Sequence, residues 1–90
     1  MTTQTYRSRD GRHLFTFRFE STSSEVDVYC SRHPSLGSRD TSTSKTHIWD
    51  SGKLCFVCGK APQTMARAQE LARQWAEYLL DYIRTGVAQS

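Results

Sequence analysis

The stretch that decides the fold is Pro62–Thr85, PQTMARAQELARQWAEYLLDYIRT. It is built of strong helix formers and holds no Gly or Pro beyond its first residue. Met65, Ala68, Leu71, Ala72, Trp75, Ala76, Leu79, Tyr82 and Ile83 recur at three- and four-residue spacing and make one apolar stripe. Pro62 suits a first helical turn, where its missing N–H is not wanted. Gly86 follows as a left-handed stop, and Arg84 sits in the last turn, where a cation favours the helix dipole. The spacing predicts an amphipathic helix over 62–85, about six turns long. Such a helix needs a second layer to cover its stripe.

Upstream the hydrophobic period changes from helical spacing to two. Phe15, Phe17 and Phe19 alternate with Leu14, Thr16, Arg18 and Glu20, the pattern of a strand with one buried face. Val26, Val28 and Cys30 alternate in the same way after the polar turn Ser21–Ser24. A second hairpin is expected from Thr46–Asp50 and Lys53–Val57, joined across Asp50-Ser51-Gly52, with Gly52 able to take the positive φ of a tight turn. The fold class that follows is α+β: an antiparallel four-stranded meander, ββββ, packed against one long C-terminal helix. Residues 1–12 read as a frayed tail. Residues 31–45, SRHPSLGSRDTSTSK, read as a flexible Ser/Thr-rich loop with Leu36 as its one aliphatic residue.

The 90 residues bound a single domain, 1–90, that removes about 60–65% of its unfolded surface from water. Hydrophobic residues make up 37% and mean hydropathy is −0.63. The two Trp, four Tyr and four Phe are nevertheless too many for a disordered tail. No apolar run is long enough to cross a membrane, and Met1–Arg7 has no apolar leader core, so a cytoplasmic protein is expected. Three cysteines in such a chain point to thiols or ligands, not to a disulfide framework. The net charge of +3 leans weakly toward acidic partners.

Cys30-x-x-His33 and Cys55-x-x-Cys58 together have the form of a tetrahedral zinc site with three thiolates and one imidazole. Against zinc, Cys30 continues the Val26/Val28 face as a small core residue, and Cys55 falls inside an expected strand. Zinc at Cys30, His33, Cys55 and Cys58 therefore stands as the alternative, and no cofactor is expected. Cys55-x-x-Cys58 as a redox pair lacks a helix starting directly at the dithiol. A small cysteine-dependent enzyme using Cys55 or Cys58 is a further alternative, with His47 as its nearest base. A two-residue turn sets His47 opposite Phe56, and a three-residue turn sets it opposite Cys55, so that dyad hangs on the register.

The stretch His47–Phe56, HIWDSGKLCF, resembles the last hairpin of ubiquitin-conjugating-enzyme-like folds, and Trp75–Gly86 is similar to the C-terminal helix of bacterial members of that group. The resemblance implies a meander leading toward an active cysteine at Cys55 or Cys58. It covers the C-terminal half of the chain only and lacks the group's N-terminal helix.

Nucleic acid is weakly supported. Arg7, Arg9 and Arg12 form the one local basic cluster, interrupted by Asp10, and no known nucleic-acid-binding consensus is present. The reading that remains is a small non-enzymatic binding or interaction module that engages a protein partner through its open sheet face or its loop. Monomer and homodimer are both left open.

Overall fold

A computed structural model describes residues 2–56 and 61–88. Three strands, β1 (Thr2–Arg7), β2 (Leu14–Ser21) and β3 (Val26–Arg32), pair antiparallel in the order β1-β2-β3. A single helical turn, α1 (Thr43–Thr46), and the long helix α2 (Met65–Thr85) follow. The α+β class and the C-terminal helix are thus present, but the sheet has three strands and not four.

α2 starts at Met65, three residues later than the expected start at Pro62. Thr64 is the N-cap, its hydroxyl accepting from the Arg67 N–H at 3.2 Å. Pro62 lies outside the helix, and its carbonyl instead accepts from the Val26 N–H at 2.8 Å, at the start of β3. At the other end Gly86 takes φ 75° and its N–H donates to the Tyr82 carbonyl at 2.7 Å.

The core lies between α2 and one sheet face. Phe15, Phe17, Phe19, Val28 and Cys30 meet Ala68, Ala72, Ala76 and Leu79, all of them buried. The three helix alanines let the backbone approach the phenyl rings closely. Trp75, 7% exposed, stands edge-on to Phe15 and Phe17, with centroids 6.1 and 6.0 Å away.

Two expectations are corrected here. In place of a frayed tail, Thr2–Arg7 forms a strand that pairs with β2 in register from Thr2↔Phe19 to Arg7↔Leu14. Tyr6 ties this strand to the helix by donating its hydroxyl to Glu77 Oε2 at 2.6 Å. Among the described residues the second hairpin is reduced to the isolated bridge Ile48↔Leu54, and Lys53 bridges separately to Tyr29 of β3. Extended chain cannot run through its first arm, since Thr46 ends α1 and His47 takes a left-handed φ of 57°. Val57 and Cys58 lie outside the described residues.

The Ser/Thr-rich segment 31–45 is fastened to α2. Arg39 donates from Nε to the Ile83 carbonyl at 3.0 Å and from Nη2 to the Arg84 carbonyl at 3.3 Å, so it caps the C-terminal end of the helix. Tyr82 donates its hydroxyl to the Asp40 carbonyl at 2.7 Å, and Tyr78 donates to that of Lys45.

Candidate functional site

The register left open by the sequence is resolved. Trp49 N–H donates to the Lys53 carbonyl, Gly52 N–H returns to the Trp49 carbonyl, and Ile48 pairs with Leu54. The turn therefore has three residues, Asp50, Ser51 and Gly52, with Gly52 at φ 90°. His47 stands opposite Cys55, whose N–H donates to the His47 carbonyl at 2.8 Å. The two residues meet through the backbone, while the His47 ring packs against Tyr78, 5.4 Å between centroids.

The cysteines differ in environment. Cys30 is buried on the helix side, its thiol directed at the Arg32 carbonyl at 3.1 Å, and burial pushes its pKa up to about 11. A thiol so disfavoured as thiolate is a poor nucleophile. Cys55 is half-buried at the end of the turn segment. His33 sits edge-on to Trp75 at 6.3 Å with Nδ1 2.8 Å from the Pro34 carbonyl. Cys30, His33 and Cys55 do not come together, and no group of three or more metal-binding side chains occurs among the described residues. The fourth member of that set, Cys58, lies outside them.

The sheet face turned away from α2 carries a different arrangement. The register runs Thr3↔Arg18, Arg18↔Tyr29 and Tyr29↔Lys53, and Trp49 lies across the turn from Lys53. One row across the sheet thus alternates cation and aromatic: Arg18, Tyr29, Lys53, Trp49. The Arg18 guanidinium lies 4.3 Å from the Tyr29 ring centroid, within cation–π range. Arg18 also pairs with Glu20 at 3.1 Å and Lys53 with Asp27 at 3.4 Å. Trp49 is 52% exposed and one of two large hydrophobic residues so exposed among those described. Sequence reasoning missed this row because its members lie far apart in the chain and only the pairing aligns them. The alternation of Arg18 and Tyr29 with buried neighbours was the available signal.

No described helix is long and apolar enough to cross a membrane. Compared with known proteins, the chain matches no protein family, no curated protein and no solved structure.

Proposed function

We propose that this chain is a small non-enzymatic interaction module that takes a protein partner on its open sheet face. The observation that carries the reading is the row Arg18, Tyr29, Lys53 and Trp49, in which an exposed indole adjoins Lys53 and the Tyr29 ring lies between the two cations. Trp, Tyr and Arg are the residues that dominate binding energy at protein interfaces, because each offers a large contact area with a polar or charged handle. The two acids that flank the row, Glu20 and Asp27, hold its cations in place. Affinity capture with the wild-type chain and with Arg18→Ala/Trp49→Ala tests this. Partners held by the wild type and lost by the variant support it, and equal capture by both contradicts it.

A second reading has its own support. The three-residue turn sets His47 opposite Cys55, and Cys55 is more accessible than Cys30. A cysteine-dependent enzyme using Cys55 is the reaction class those two residues fit. Titration of the thiols decides it: one thiol hyper-reactive near neutral pH, removed by Cys55→Ser, selects the enzyme. Stoichiometric metal in the purified protein selects a zinc-stabilised domain instead.

A further inference from the structure

At the sheet rim where β2 begins and β3 ends lies a shallow groove of about 270 Å³, lined by Arg12, His13, Leu14, Arg32, His33 and Pro34. Two arginines and two histidines face it, and no acid does. Arg12 and His13 come from the β1–β2 connection, Arg32 and His33 from the end of β3, so antiparallel pairing assembles the four.

A bulge completes the assembly. Phe17 pairs with Cys30, but Thr16 pairs with Arg32, which leaves Ser31 as the extra residue. Strict alternation would turn Arg32 to the side of Val28 and Cys30, against the helix. The bulge sets it opposite Thr16 instead, on the side away from the core, as bulges commonly re-aim a side chain.

Neither the Arg12 nor the Arg32 guanidinium closes an ion pair or hydrogen bond with a described residue. Asp10, two residues before Arg12, interacts electrostatically with Arg12 and His13 and so offsets part of the charge on that side of the groove. Its carboxylate accepts from the Ser8 hydroxyl and the Arg12 backbone N–H, which hold its pKa below the ordinary range. His33 Nδ1 lies 2.8 Å from the Pro34 carbonyl, a contact that orients the ring.

We infer that this groove binds the terminal phosphate of a small phosphomonoester. Two planar guanidinium forks offer more donors than the two oxygens of a carboxylate can accept, whereas a terminal phosphate presents three. A nucleic-acid backbone fits less well, since each phosphodiester carries a single charge and the groove is short. The groove shares no residue with the open-face row, and its test reads it independently of that row.

The test is an NMR titration of the full chain, following the His13 and His33 ring signals at constant ionic strength set with sodium chloride. Probes are inorganic phosphate, adenosine 5′-monophosphate and adenosine. Saturable shifts are expected with the first two and none with adenosine. Apparent Kd should rise about tenfold or more in Arg12→Gln/Arg32→Gln, a loss of about 1.4 kcal/mol. Arg32→Lys, which keeps the charge but not the fork, should fall between. Tighter binding of the monophosphate than of phosphate assigns an ester as the ligand, and equal binding assigns free phosphate. No saturable shift in the wild type, a response to adenosine, or an unchanged Kd in the double variant overturns the inference. Both arginines are exposed, and the amide spectrum of each variant shows whether the fold is retained.

Discussion

Trp75 Nε1–H donates to the Thr46 carbonyl at 2.8 Å, a buried hydrogen bond between residues 29 positions apart. It joins the centre of α2 to the end of α1, and the same indole packs edge-on to Phe15 and Phe17. Packing and polar satisfaction thus meet in one side chain. Trp75→Ala should cost roughly 3–5 kcal/mol, enough to endanger a domain with only about 5–10 kcal/mol of stability. Trp75→Phe keeps much of the packing but leaves the Thr46 carbonyl without its partner, for about 1–3 kcal/mol. Denaturant titration measures both, and a loss below about 1 kcal/mol for Trp75→Ala contradicts this role.

Arg39 should matter more than its exposed, polar surroundings suggest. Its guanidinium caps the Ile83 and Arg84 carbonyls and holds the 31–45 segment to the helix end. Arg39→Ala is expected to lower stability by about 0.5–1.5 kcal/mol and to speed amide exchange in residues 36–42. Unchanged exchange in that segment would show that the other tethers, Tyr82 to Asp40 among them, suffice.

The Cys30 thiol gives a pH-dependent signature. Burial raises its pKa from the ordinary 9.0 to about 11, so the folded state favours the protonated form. The resulting stability is complete below about pH 9 and is lost as pH rises through about 11. The stability gap between wild type and Cys30→Ala should therefore narrow across that window. A gap constant with pH would mean that the thiolate is accommodated in place.

How much of this was legible in the sequence follows from the kind of signal each element carries. α2 and the Phe15/Phe17/Phe19 face were legible because burial imposes a period, and the period survives in the residue types. β1 was not, since an exposed edge strand of Thr, Gln, Tyr and Arg needs no apolar alternation. The hairpin failed at His47, where a left-handed backbone leaves no mark in hydropathy. Asp50-Ser51-Gly52 fits two turn lengths equally, so the placement of His47 against Cys55 needed coordinates. The tethers of the 31–45 segment run largely to backbone carbonyls, which every residue has, so composition could only suggest a loop. The Ser31 bulge and the groove beside it were hidden for the same reason.

Trp49 should separate binding from folding. At 52% exposure it supports little of the core, so Trp49→Ala is expected to change stability by less than about 0.5 kcal/mol. A larger loss would make it a structural residue of the turn and weaken the open-face reading.

That reading is tested most directly by mapping a captured partner on the isotope-labelled chain by NMR. Shift changes are expected to centre on Arg18, Tyr29, Lys53 and the Trp49 indole, with α2 left undisturbed. Changes centred instead on His47 and Cys55, or on the exposed side of α2, would contradict it.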